Sequence, residues 1–212
     1  MSEINEKLAE AFRLFDEGQV EQSERLYLSC LCQIPNKTCD EYKVALHGLG
    51  YVKSELKQFD EARSIYNELH EIAIFNNDTT EKCIAIHQLG MVERMAENYE
   101  EARRLFTMEY SLLHQFDIAS SLALAANLYE QGYVQLLQTN IAQAQEFMGK
   151  SLHYARLSND DISLGCSFRG LGEIQKAKGN LKKALQYIEL AKKSFEEAND
   201  FMAVKELQRV LD

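Results

Sequence analysis

The stretch HGLGYVKSELKQFDEARSIY, residues 47–66, returns three times along the chain. It comes back as HQLGMVERMAENYEEARRLF at 87–106, YEQGYVQLLQTNIAQAQEFM at 129–148 and RGLGEIQKAKGNLKKALQYI at 169–188. The four copies align without a gap. In each, a glycine (Gly50, Gly90, Gly132, Gly172) precedes an alanine (Ala62, Ala102, Ala144, Ala184) by twelve residues, and successive glycines lie 40, 42 and 40 residues apart. A fainter first copy carries Ala11 and Ser23 at the same separation. A fixed period of this length marks a stack of supersecondary units, none of which can bury its apolar face alone.

Each copy reads as two helices. Leu46, Leu49 and Gly50, then Ala62, Ile65, Tyr66 and Leu69, follow the three-and-four spacing of an amphipathic helix. Short polar joints divide the two helices of a copy: 57–60, 97–99, 139–140 and 179–180. Longer joints divide the copies, at Pro35–Thr38, Asn76–Thr79, Phe116–Asp117 and Ser158–Asp161, and their Thr and Asp residues suit helix N-caps. The small residues at the centre of each hairpin let its helices approach closely, although glycine costs about 1 kcal/mol of helix propensity. The predicted fold is all-α: one right-handed α-solenoid over residues 1–212. It would have hairpins near 3–35, 40–76, 79–116, 118–158 and 160–199, then a cap helix over 200–212. That last segment sets Phe201, Val204, Leu207 and Leu211 on one stripe and Lys205, Glu206 and Arg209 opposite.

Composition agrees and excludes. One proline (Pro35), ten glycines and no tryptophan leave little to punctuate a β fold. A net charge of −10 argues against nucleic acid and anionic membrane surfaces, which demand clustered Lys and Arg. No apolar run of about 18 residues occurs, as a spanning helix requires. The start, MSEINEKLAEAF, is acidic and amphipathic rather than a secretion signal. The five cysteines (Cys30, Cys32, Cys39, Cys83, Cys166) match neither a redox Cys-x-x-Cys nor a zinc knuckle. They read as buried thiols in a reducing cytoplasm.

The pattern apolar-x-x-Leu-Gly, then Ala, then Tyr66, Phe106, Met148 or Ile188 four residues further on resembles the tetratricopeptide repeat. Pro35 sits where that family often ends a second helix with proline. The usual period is 34 residues with the same twelve-residue Gly-to-Ala step. The added six to eight residues must therefore lengthen the helices between Ala and the next Gly. Forty-residue repeats of this kind look like those of kinesin light chains, LGN-type polarity scaffolds, and the Rap and PlcR-like peptide sensors of bacteria. The resemblance covers residues 1 to about 199.

The resemblance implies a binding surface. In this family a second stripe of each first helix lines the concave face. Here it is Val44, His47, Tyr51, Ser54; Ile84, His87, Met91, Arg94; Ala126, Tyr129, Tyr133, Leu136; and Cys166, Arg169, Glu173, Lys176, with Leu8, Phe12 and Phe15 from the first copy. Tyrosines offer amphipathic area at small entropic cost, and paired arginine donors suit a carboxylate. The candidate partner-binding residues are His47, Tyr51, His87, Met91, Arg94, Tyr129, Tyr133, Arg169 and Glu173. The competing reading is that these rings only pack against neighbouring helices.

His47 and His87 occupy equivalent positions and would make a pH-sensitive pair. Without a carboxylate or cysteine at ligand spacing they do not make a metal site. His70, His114 and His153 fall on second helices, on the partly exposed side. No phosphate loop, nucleophile elbow or His-Glu-x-x-His is present, and Gly48-Leu49-Gly50 lies inside a helix with no strand before it. The sequence therefore points to a cofactor-free, non-enzymatic module, monomeric or homodimeric, that binds a peptide or protein, in the manner of a bacterial regulator or peptide sensor. The alternative is an assembly scaffold acting through self-association or its convex face.

Overall fold

A computed structural model describes residues 2–211; the side chains of Arg209 and Leu211, both assigned to the cap helix from sequence, lie outside the description. Among the described residues there are eleven α-helices and no strand: α1 (Glu3–Asp16), α2 (Val20–Gln33), α3 (Asp40–Glu55), α4 (Phe59–Phe75), α5 (Thr79–Met95), α6 (Tyr99–Gln115), α7 (Ser121–Leu137), α8 (Ile141–Ser158), α9 (Asp161–Ala177), α10 (Leu181–Glu197) and α11 (Phe201–Leu211). The chain divides into two compact units, Met1–Leu105 and Phe106–Asp212, with the boundary inside α6. In the first unit α1 to α5 each pack on the next, and α1 also touches α3. The second unit repeats the scheme from α7 to α11, with α7 also against α9. That is helix-pair stacking in each unit.

The helix ends explain the even lengths. Left-handed residues close the helices at Gly18, Lys57, Asn77, Glu97, Asp117, Thr139, Asn159, Gly179 and Asn199. From Lys57 to Asp117, and again from Thr139 to Asn199, these residues recur every twenty positions. The interval of 22 between them arises from the longer joint 116–120. After the turns other than that at Asn159 an N–H reaches back five residues, as in Gln58 to Lys53 (2.9 Å), Asp78 to Ala73 (2.9 Å) and Asp200 to Phe195 (2.8 Å). This bond satisfies a carbonyl that the helix terminus would otherwise leave open.

First and second helices begin differently. Ser2, Asp78, Ser120 and Asp160 cap α1, α5, α7 and α9 with their side chains, as Asp200 does α11. Asp78 and Asp160 are the caps foreseen in their joints. Thr38 is not: it bonds to Asn36 Oδ1, and Cys39 holds the N-cap position of α3 without a side-chain bond. Ahead of the second helices, Gln58, Asn98, Asn140 and Asn180 turn their amides back to a buried polar residue five positions earlier. The pairs are Lys53 Nζ to Gln58 (2.8 Å), Asn98 to Glu93 (2.7 Å), Asn140 to Gln135 (2.9 Å) and Asn180 to Gln175 (3.1 Å). Each polar partner stands three residues after the repeat glycine. The tie pins the hairpin turn to the interior, where an unpaired polar group would be costly.

Close packing sets the glycines. A Cβ on Gly50 would run into the ring of Tyr66, which is 1% exposed; one on Gly172 would lie 2.8 Å from Ile188 Cδ1. The repeat glycine thus receives the large residue placed four after the alanine. The faint first copy keeps the register with a polar contact, Ser23 Oγ donating to the carbonyl of Ala11 at 2.7 Å. The acid runs are solvated faces: Glu100 and Glu101 pair with Arg103 and Arg104, and Glu196 and Glu197 with Lys192 and Lys193. Cys30 and Cys83 are buried as expected, whereas Cys32 is exposed because it falls on the outer side of α2.

Candidate functional site

Each unit carries its own pocket, and the predicted stripe contributes to both. In the first unit a cavity of about 580 Å³ is walled by Leu8 and Phe12 of α1, Tyr27 of α2, and Val44, His47 and Tyr51 of α3, with Asp40 and Glu41 at its edge. Tyr27 reaches this wall because Gly48 has no side chain to meet its ring. Phe12, Val44 and Tyr51 are 62%, 53% and 40% exposed, so apolar surface faces solvent here. Leu8 and Phe12 of the first-copy stripe line this cavity, while Phe15 does not.

The polar groups of this wall have partners. Tyr51 Oη accepts from Gln88 Nε2 at 2.7 Å, tying α3 to α5. His47 Nε2 lies 3.5 Å from Glu81 Oε2. Burial lowers the His47 pKa, and Glu81 opposes that shift. His87, Met91 and Arg94 lie half-buried on α5 and do not line the cavity. His70 is half-buried on α4, as expected of that side of a second helix, and its Nε2 is buried without a hydrogen-bond partner. Among the described residues no group of three or more His, Cys, Asp or Glu is placed to hold a metal ion.

In the second unit a cavity of about 710 Å³ is lined by Tyr133 and Leu136 of α7, Arg169, Glu173 and Lys176 of α9, and Glu206 and Val210 of α11. Tyr129 and Tyr133 stack with centroids 5.7 Å apart and planes 11° from parallel. Both pack on a core of Ala144, Met148, Leu171 and Ile174, but only Tyr133 also reaches the cavity wall. Arg169 Nε donates to Glu173 Oε1 at 2.9 Å and its Nη1 to Glu206 Oε2 at 3.1 Å. Burial raises the Glu173 carboxyl above its ordinary range, with Arg169 pulling the other way. Burial likewise pushes the neighbouring Cys166 thiol up to about 12, which leaves it an inert packing group.

Residues 40–114 match the family described as Tetratricopeptide repeat. The match spans about a third of the chain. No curated protein matches the chain. Solved structures do, at identities that carry fold alone. The TPR-like repeats of a kinesin light chain from Podosopora anserina align with a TM-score of 0.64 at 14% identity, over 94% of this chain and 99% of that one. BtubC from P. vanneervenii aligns at 0.63 and 17%, over 94% and 93%. A Rap protein complexed with competence and sporulation factor aligns at 0.74 and 13%, over 99% of this chain and 64% of that one.

The stripe as read from the sequence supplies part of each wall and misses the rest. Asp40 and Glu41 lie off the stripe and gave no periodic signal, while Tyr27 stands four residues after Ser23, in the column of Tyr66, which reads as packing rather than as a wall. Glu206 and Val210 were assigned to a cap helix on polarity, which says nothing of what its inner edge touches. The turn-tying column (Lys53, Glu93, Gln135, Gln175) was legible by reading down the aligned copies. No helix among the described residues is long and apolar enough to cross a membrane.

Proposed function

We propose that this chain is a protein-interaction module that holds a peptide or partner segment against the inner stripe of its first helices, without catalysing a reaction. The observation that carries this is the coincidence, in both units, of stripe residues with an open concave wall: His47 and Tyr51 in one, Tyr133, Arg169 and Glu173 in the other. Exposed aromatic area beside a few fixed polar groups is the composition of a binding wall. His87, Met91, Arg94 and Tyr129 extend the same stripes and belong to the proposal as flanking contacts. The Rap structure, which holds a factor in complex, favours a peptide-sensing role over a self-assembling scaffold. The five free cysteines suit a reducing, cytoplasmic setting.

A phage-displayed library of random 12-residue peptides, selected on the full chain, tests the reading. Enriched peptides are expected to lose tenfold or more in affinity to Tyr51→Ala or Tyr133→Ala while the helical circular dichroism signal stays unchanged. Failure to enrich any sequence, or binding indifferent to both variants, would overturn it.

A further inference from the structure

The second unit's pocket is already holding a carboxylate. Glu206 of α11 reaches Arg169 Nη1 at 3.1 Å, and the neighbouring cation Lys176 donates to the Val210 carbonyl of the same helix at 2.8 Å. Both cations of this wall are thus satisfied from α11. Glu173 fixes Arg169 through Nε at 2.9 Å, which leaves the Nη edge of the guanidinium aimed at α11. A guanidinium held in this way is preorganised for an anion. With Glu206 in place the four charges of the wall, Arg169, Lys176, Glu173 and Glu206, sum to zero. Without it they sum to plus one.

The contacts divide into weak and strong parts. Glu206 is about half exposed, and exposed ion pairs hold little. The firm attachment of α11 is apolar and lies elsewhere: Leu207, 3% exposed, packs with Ile188, Ala191 and Phe195. The helix is therefore anchored along one edge and latched to the pocket along the other by groups that a competitor can replace.

We propose that the pocket of Tyr133, Leu136, Arg169 and Lys176 recognises a peptide carboxylate, and that α11 holds it shut by presenting Glu206 as a built-in occupant. The inference rests on the peptide-binding reading above and names the ligand's chemistry. An acidic side chain would take the Arg169 Nη edge as Glu206 does, its neighbouring apolar residue would lie on Tyr133 and Leu136, and Lys176 would donate to it in place of Val210.

The test compares full-length wild type with Glu206→Gln, which removes the latch charge, and with Leu207→Ala, which loosens the anchor without touching a charge. Each is used to select the random peptide library. The best sequence is then resynthesised with Glu and with Gln at its acidic position and titrated by calorimetry. The expected result is that both variants enrich acidic peptides and bind the Glu form at least tenfold tighter than wild type does, with the Gln form gaining nothing. Adding Arg169→Gln to Glu206→Gln should abolish the gain. Equal affinity of wild type and both variants would overturn the latch while leaving the interaction module standing, and enrichment of basic peptides would overturn the carboxylate assignment. Absence of any enriched peptide from all three proteins would remove both readings together.

Discussion

Ser23 Oγ donates to the main-chain carbonyl of Ala11 across the first hairpin at 2.7 Å, and both residues are fully buried. Later copies fill the Ser23 position with alanine, so this hairpin crosses on a hydrogen bond where the others cross on a methyl group. Ser23→Ala should cost about 1 kcal/mol, the net worth of a buried hydrogen bond. Ser23→Leu should cost more, about 1–3 kcal/mol, by overpacking. Urea unfolding of both variants checks the order; a harmless Ser23→Leu would show that the crossing is misplaced.

Gly50 and Gly172 occupy equivalent positions with unequal neighbours. An added methyl meets the ring of Tyr66 at Gly50, but at Gly172 chiefly the flexible end of Ile188, Cδ1 at 2.8 Å and Cγ1 at 3.1 Å, with the Ala184 carbonyl at an ordinary 3.4 Å. Alanine also gains about 1 kcal/mol of helix propensity over glycine. Gly50→Ala is expected to destabilise by about 1–3 kcal/mol, and Gly172→Ala to be close to neutral. Melting temperatures of the two variants that fell equally would contradict this.

Thr139 holds φ at 61°, where a β-branched side chain is strained. Gly179 performs the same turn at φ 76° without that strain. Thr139→Gly should therefore stabilise the chain by up to about 1 kcal/mol after the larger unfolded-state entropy of glycine is counted. A lower denaturation midpoint would show that the threonine makes compensating contacts.

His70 is held below its ordinary pKa first by burial and then by Lys82, and its Nε2 finds no partner. A depressed folded pKa means the unfolded chain binds the proton first, so this contribution is complete above about pH 6.5 and is lost as pH falls through the folded value. His47, lowered by burial against the pull of Glu81, acts in the same direction. Thermal melts between pH 7.5 and 5.5 should show a falling midpoint, and His70→Leu should flatten the slope. If the slope is the same in the variant, His70 does not titrate with folding.

Tyr129 and Tyr133 share one stack but different surroundings, since only the latter lines the cavity. Tyr129→Ala should lower stability by about 2–3 kcal/mol, short of the roughly 3–5 of a fully buried ring. Tyr133→Ala should cost less stability and more binding. Calorimetric melts set beside peptide titrations separate the two; the reverse order would place Tyr129 at the partner.

The repeat was legible because Gly50, Gly132 and Gly172 each answer a packing demand that leaves a mark in sequence, and Gly90 keeps their spacing. The hairpins, their joints and the buried alanines follow from that column. The walls were legible only in part. Tyr51 and Tyr133 stand on the stripe, yet whether a ring faces solvent depends on neighbours such as Gln88 and Leu136 that periodicity does not weigh. Glu206 belongs to a helix whose sequence reads as polar cap, and its ion pair with Arg169 spans 37 positions, beyond any local pattern. Cys32 departed from expectation for a like reason, a single position's outlook within a helix of otherwise known face.

The even spacing of the left-handed turns has a mechanical consequence. Every helix between Lys57 and Asp117, and between Thr139 and Asn199, belongs to a segment of the same contour length closed by a left-handed residue. Under tension, twenty residues drawn straight extend to roughly 66–72 Å, against the roughly 25 Å that a 17-residue helix spans. A chain so divided would yield in near-equal increments, like a ratchet with uniform teeth, and a force-extension trace would count its helices one by one.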